Sequence, residues 1–428
     1  MDPPKMFKDD KSGCLKFDRI TIINKRFTLS FLMNIGFTIM FCGITLSHVN
    51  RCLMSSIDPA DRSFFHASSY LLGLVIIQIP AAWCSLKFSP ITWFGRSILL
   101  YSILLFVLAL FSFFVEFRSY GLLVAYKFTE GVVSGTTFVV FHAAWKNWTP
   151  SNERSTFVTF AIGGCFLGDL LGELLSKYCS ELLYWEYLSG LLGITGIVWW
   201  LLWKNMVYET PEKHRTITEK EYNKIYPSIQ QELDITENVT CKKIIFSMPF
   251  LVLVVVNLLR SWNSAFYLYR KEHMYIILII KAVTFPIAGY LADVLVRQTS
   301  MTITRVRKLY ISGIFLIEVI YFLLLRYCEE FDGWLYFSSF VMQVLHIAAF
   351  TAASVNALDI APSHAGVTIA IINIISHIGY QVPFKIELYL YENNWLDTFN
   401  FISIMAHLIG GIIYGIYGSA KPITVKKL

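Results

Sequence analysis

Stretches of about twenty apolar residues recur along this chain, and that recurrence restricts the fold more than any single motif. Twelve are read, at 27–49, 64–86, 97–115, 119–145, 156–178, 182–204, 245–269, 274–296, 308–326, 334–359, 365–388 and 396–418. Lipid offers backbone N–H and C=O groups no partner, so spans of this length satisfy them internally as helices. Only 15% of the 428 residues are charged, where a soluble domain would carry roughly a quarter. The expected fold class is an all-α membrane protein with twelve transmembrane helices.

A hydrophilic connection at 205–244 divides the spans six plus six. The chain then reads as a tail (1–26), a first six-helix bundle (27–204), a central loop (205–244), a second bundle (245–418) and a short tail (419–428). A weak internal repeat supports the division. Gln78-Ile79-Pro80-Ala81-Ala82 lies in the second span, and Thr284-Phe285-Pro286-Ile287-Ala288-Gly289 lies six spans later. A proline followed by small residues lets a helix bend and a neighbour come close. Duplicated halves around a midplane site are a transporter design.

Loop charges set the expected orientation. Lys87, Arg96, Lys146, Arg154, Arg297, Arg305, Arg307, Lys308, Lys421, Lys426 and Lys427 fall on the side of the termini. Asp58, Asp61, Glu181, Glu186, Glu329, Glu330, Asp332, Glu392 and Asp397 fall on the other. The positive-inside rule then places both termini in the cytosol. The net charge of +6 reports this topology and not nucleic-acid binding. The charged N-terminus has no apolar core with a cleavage site, so no cleaved signal peptide is expected. The eight cysteines carry no C-x-x-C pair and read mostly as apolar fillers, with Cys179–Cys328 the one pairing considered.

Chemistry concentrates in the fourth span and the turn after it, Lys127 to Arg154. At about 100° per residue, Lys127, Glu130, Ser134 and His142 share roughly 120° of one helix face. A charge at bilayer depth costs at least ~2.5–3.5 kcal/mol unless it meets water, a partner or a ligand. This face is therefore expected to line a polar cavity. Arg260 in the seventh span falls at a depth similar to Lys127. Two cations at one depth call for an anion between them; the other readings are that one snorkels to the interface or that Lys127 pairs with Glu130. His48 ends the first span, where an imidazole can titrate near neutral pH. Asp169 and Glu173 stand at i, i+4 in the fifth span, placed to share a proton, beside a Gly164, Gly168, Gly172 ladder that should pack on a neighbour. Lys281 reads as a near-end residue that snorkels, and Glu318 finds no role. Two loop patterns complete the inventory. Asp293 and Arg297 sit near Arg305, Arg307 and Lys308, a cluster able to latch one gate conformation. Glu153 and Arg154 follow Trp148-Thr149-Pro150, with Glu153 suited to a helix start. No nucleotide loop, metal cluster or nucleophile triad is present in the sequence, so neither an enzyme nor a cofactor is expected.

Several stretches together resemble one family. They are Ile76-Ile77-Gln78-Ile79-Pro80; Glu130-Gly131 through His142-Ala143-Ala144-Trp145 to Glu153-Arg154-Ser155; and Thr210-Pro211-Glu212-Lys213-His214. Arg260-Ser261-Trp262, Ala292-Asp293 with Val306-Arg307-Lys308, and Asn356 to Asp359-Ile360-Ala361-Pro362 continue the series. In this order the chain resembles the anion–cation symporters of the major facilitator superfamily: vesicular glutamate transporters, sialin and sodium–phosphate cotransporters. The resemblance implies the twelve-helix major facilitator fold of two six-helix bundles, with helices 1, 4, 7 and 10 facing the cavity. It also shows departures. His48 stands where the family has an arginine, Lys127 replaces a helix 4 arginine, and Ser134 replaces a glutamate tied to proton coupling. Ser68-Ser69-Tyr70-Leu71-Leu72-Gly73 replaces an aromatic–glycine run, and the helix 7–8 region is short.

The reading that follows is a secondary transporter of a small organic anion or phosphate, coupled to H+ or Na+ and working by alternating access in a bilayer as a monomer. Lys127, Arg260 and His48 bind the anion. Glu130, His142, Asp169 and Glu173 are the protonation candidates. Asp293, Arg297, Glu153 and Arg154 form the gate. The alternative is a degenerate member that senses a ligand or scaffolds without net transport.

Overall fold

The computed structural model describes residues 24–53, 59–114, 120–179, 185–236, 238–264, 274–325, 332–392 and 396–424. Every expected span is present as a helix. In the first half these are α1 (Lys25–Leu53), α2 (Pro59–Lys87), α3 (Pro90–Phe114), α4 (Tyr120–Ala144), α5 (Arg154–Cys179) and α6 (Trp185–Met206). In the second half they are α7 (Met248–Ser264), α8 (Met274–Gln298), α9, α10 (Asp332–Ile360), α11 (Ala365–Glu392) and α12 (Leu396–Tyr417). α9 runs from Ile303–Lys308 through a π turn at Leu309–Gly313 into Ile314–Leu325.

Several helices start earlier than hydropathy suggests, because a polar residue within the first turns, such as Arg96 of α3, interrupts the apolar run. α3 begins at Pro90 rather than residue 97, and the fixed φ of proline suits a helix's first turn. α9 begins at Ile303, where the Thr302 side chain accepts from Arg305 N. The central loop is also more ordered than its polarity implies. It carries a helix at Glu219–Thr236 whose Ile225 and Ile229 are buried against the end of the bundle.

The helix pairing repeats with an offset of six. α1 packs on α5 as α7 packs on α11; α2 on α4 as α8 on α10; α3 on α6 as α9 on α12. The contacts between halves repeat in the same way, α5 against α8 and α2 against α11. Glycines permit the closest approaches. A Cβ on Gly164 would lie 2.1 Å from Asn34 O of α1, and one on Gly131 2.0 Å from Tyr70 O of α2. The Gly164, Gly168, Gly172 ladder thus packs on α1 along its length.

Seven of the described helices are long and apolar enough to cross a membrane on length and composition alone. α4 is not among them, since Lys127 and Glu130 lower its hydropathy. Apolar side chains such as Leu72, Ile76, Ile79 and Trp83 on α2, and Leu191, Ile194, Val198 and Leu201 on α6, point outward as a lipid-facing belt does. An apolar cleft bounded by Ile287, Leu291, Leu309, Ile317 and Leu345 opens on this same outer surface, away from the buried charges.

Candidate functional site

In α4 the polar face predicted from the sequence is wholly buried: Lys127, Glu130, Ser134 and His142 are each at most 3% exposed. Lys127 Nζ donates to Glu130 Oε2 at 2.6 Å and to Ser47 Oγ of α1 at 2.9 Å. Glu130 Oε1 accepts from Ser47, from Tyr101 of α3 and from Tyr126 at 3.2–3.3 Å. Of the readings open for Lys127, the structure therefore shows the pair with Glu130. The pair is a closed neutral unit, and either partner alone would be a buried charge.

Ser134 explains two departures from the family pattern at once. Its hydroxyl lies 2.8 Å from the Tyr70 hydroxyl of α2. The stretch that lacks the aromatic–glycine run and the position that lacks a carboxylate thus meet in one neutral hydrogen bond. His142 Nδ1 lies 2.9 Å from its own helix carbonyl, Phe138 O, and must carry the proton there, since a carbonyl only accepts. His142 Nε2 has no hydrogen-bond partner among the described residues.

In the second half Arg260 is 7% exposed on α7, and its guanidinium lies over the Phe350 ring of α10, 4.2 Å from the centroid. The His48 side chain lies outside the described residues. Cys179 and Cys328 do so as well, and Cys42, Cys84, Cys165 and Cys241 are free thiols. Asp169 accepts from Thr45 Oγ1 of α1 at 2.8 Å, and Glu173 lies half-buried one turn on. Lys281 is half-buried on α8, with its charge acting on Asp169 across the join between the halves.

The end of the bundle where α1 begins and α12 finishes is tied together by buried ions. Arg154 of α5 donates to Asp359 of α10 at 3.0 Å, to Glu232 of the central-loop helix at 2.6 Å and to Thr149 O. Arg307 of α9 donates to Asp359 at 2.9 Å and to Ser155 Oγ at 2.9 Å. Asp293 accepts from Ser155 N, Thr156 N and Thr156 Oγ1, so it caps α5 from the opposite half. Asp293 also feels the charge of Arg307, one of the bases expected beside it, while the α5 N-terminus holds its carboxylate directly.

Glu153 is likewise more than a residue suited to a helix start. It binds Arg26 and Lys224 at 2.5 Å each, and Arg297 of the other half at 3.7 Å. Burial would raise the Glu153 carboxyl, but the hydrogen bonds and charges of Lys224 and Arg26 outweigh it and hold the group below its usual range. Nearby, His214 packs against Tyr208 and Trp148, and burial, with Lys25 close by, brings its imidazole down to about 4. Sequence reasoning missed Arg26, Lys224, Glu232 and Glu221, which pairs with Arg26 at 3.5 Å, as members of this network. The T-x-x-E spacing of Thr218 and Glu221 was the available signal for the helix that carries the last three.

A model of the Major Facilitator Superfamily matches residues 26–382. The chain belongs to the major facilitator superfamily. Within it, the chain is similar to a probable vesicular glutamate transporter of Caenorhabditis elegans, eat-4, at 27% identity over 93% of this chain and 74% of the relative. It is 26% identical to human vesicular glutamate transporter 2, again over 93% of this chain and 74% of the relative. Among solved structures, the proton:xylose symporter XylE superposes with a TM-score of 0.67 at 14% identity, covering 93% of this chain and 96% of that one. A bacterial homologue of the iron transporter ferroportin, in its outward-facing state, superposes at 0.62 and 12% identity, over 90% and 98%. Those two likenesses concern the fold. This superfamily member is a multi-pass membrane protein whose relatives are transporters, not enzymes.

Proposed function

We propose that this protein is a secondary active transporter of a small organic anion or inorganic phosphate, working by alternating access as a monomer with both termini in the cytosol. The observation that carries the reading is the buried Lys127–Glu130 pair of α4, in a chain similar to vesicular glutamate transporters and with a second buried cation, Arg260, on α7. A proton on Glu130 would leave the Lys127 charge uncompensated, and a substrate anion is the natural replacement. Arg260 supplies the second positive contact, and His48 a third. Coupling is to H+ or Na+. Asp169, set between Thr45 and Lys281 where the halves meet, and Glu173 stand in for the carboxylate missing at Ser134. Asp293, Arg297, Glu153 and Arg154 act as the gate on the side of the termini, and rocking of one bundle against the other would break their contacts.

Labelled phosphate, glutamate, sialate, urate and aromatic acids in proteoliposomes test this directly. At least one should exchange in the wild type, with Arg260→Ala and Lys127→Ala each lowering uptake by more than ~10-fold, the loss of about one charge-assisted contact. Binding of an anion with no counterflow would favour a sensor or scaffold instead. Uptake against pH in Asp169→Asn and Glu173→Gln separates their roles; an unchanged profile in both removes these carboxylates from the mechanism.

A further inference from the structure

Three ionisable side chains converge in the second bundle, away from the Lys127–Glu130 pair. Glu318 of α9, His346 of α10 and His407 of α12 are at most 4% exposed, and their ligating atoms all lie within 4.8 Å of one another. Glu318 Oε1 lies 3.1 Å from His346 Nδ1, and Glu318 Oε2 lies 2.6 Å from His407 Nε2. The rings of Phe315 and Phe322 cover His407.

The protonation of this cluster follows from its geometry. His407 Nδ1 lies 3.0 Å from Ser403 O, and a carbonyl oxygen only accepts, so Nδ1 carries a hydrogen. In a neutral ring Nε2 would then be a bare lone pair. An ionised carboxylate is also a pure acceptor, and two acceptors do not sit 2.6 Å apart in a buried site. Among the described residues no donor is aligned on Oε2 in this geometry, so the short contact is relieved by a hydrogen either on Nε2, making His407 an imidazolium, or on Glu318. Both states hold one proton more than a carboxylate and neutral imidazoles. Ligands ~2.0–2.1 Å from a tetrahedral zinc lie about 3.3 Å apart, and the 2.6 Å between Glu318 Oε2 and His407 Nε2 is shorter than that, as a shared hydrogen makes it.

The positive charge that faces the cluster belongs to Arg260. It acts on both Glu318 and His346, and its guanidinium rests on Phe350, one helical turn from His346. We propose that Glu318, His346 and His407 form a proton-binding site in the second bundle, linked electrostatically to Arg260. With the proton bound, the cluster is neutral and Arg260 keeps its full charge for an anion. With the proton lost, the Glu318 carboxylate compensates Arg260 and weakens its hold on the anion. Proton and anion then favour each other's binding, a reciprocal linkage. The coupling role rests on the transport reading above; the bound proton does not.

The test uses purified full-length protein in lipid, with nitrogen-15 histidine and infrared spectra recorded across pH. At pH 7 the extra proton should appear either as an imidazolium signal that His407→Gln removes, or as a protonated-carboxyl band that Glu318→Gln removes. Absence of both in the wild type overturns the site, whether or not the variants fold. Arg260→Gln should let the cluster hold its proton to higher pH, because a repelling cation is gone; an unmoved transition overturns the link to Arg260. Zinc retained through dialysis by the wild type and released by Glu318→Gln would overturn the proposal in favour of a metal. Failure of every anion to exchange in proteoliposomes, with the proton signal intact, would sink the transport reading and leave the site standing.

Discussion

Removing one partner of the Lys127–Glu130 pair should harm this protein more than removing both. Both side chains are enclosed by α1, α3 and α4, with no solvent to screen a lone charge. Glu130→Gln leaves Lys127 an uncompensated cation, a change of about 3–5 kcal/mol in buried pairs. Lys127→Met combined with Glu130→Gln removes both charges and should recover most of the lost stability while abolishing anion exchange. Thermal unfolding of the three proteins in one detergent checks this; a double variant no more stable than Glu130→Gln would show that the pair's charges are not what the fold depends on. At this scale the sequence was informative where residues share one helix, since Lys127, Glu130 and Ser134 follow from helical periodicity alone. It was silent on Glu318, because its partners lie on α10 and α12 and nothing local marks them. It did not show that Lys281 acts on Asp169, because depth along α8 does not tell which neighbour the side chain meets.

The helices themselves were legible because a bilayer forces a long apolar run into one conformation. Their ends were less so, because polar residues in the first turns, such as Arg96 of α3, break the hydropathy signal. The central-loop helix at Glu219–Thr236 was missed for a related reason: its apolar contacts with the bundle come down to Ile225 and Ile229, and the polar residues that bind the bundle's buried ions, Lys224 and Glu232 among them, read in sequence as solvated loop. The contact between α1 and α5 makes a sharper statement about adjacent positions. Gly163 and Gly164 are neighbours, yet a Cβ on Gly163 would meet nothing closer than 3.7 Å, while one on Gly164 would fall 2.1 Å from Asn34 O. That oxygen belongs to a backbone and cannot swing away. Gly164→Ala should therefore force α1 and α5 apart at about 1–3 kcal/mol, whereas Gly163→Ala should be neutral or slightly stabilising. Comparing the two unfolding temperatures decides it, and equal behaviour would mean that the helices slide past one another freely.

Considered whole, the molecule is two similar bundles joined firmly at one end. The offset-of-six pairing repeats within each half, and the halves meet chiefly through α5 with α8 and α2 with α11, the contacts that rocking of one half against the other would have to rearrange. At the end of the termini these contacts are ionic and apolar together. Arg154–Asp359, Arg307–Ser155 and Asp293 on the α5 N-terminus cross between halves, and Ala81, Ala82 and Val139 of the first half join an apolar cluster with Ala357, Ile360 and Ala361 of the second. The structure thus represents a state closed at this end. Charge-assisted hydrogen bonds of this kind contribute about 1.5–3 kcal/mol each, so losing one should shift the balance between closed and open by about tenfold or more. Asp293→Asn and Asp359→Asn should each expose the interface. The reporter is a single cysteine, Ala82→Cys, in a background whose own cysteines are serines; Ala82 is 2% exposed and should react slowly with a water-soluble maleimide. Its labelling should accelerate by about tenfold in either aspartate variant, with size exclusion showing that the protein remains folded. Unchanged labelling in folded variants would mean that the apolar cluster alone holds this end shut and that the buried ions serve only to position the helices.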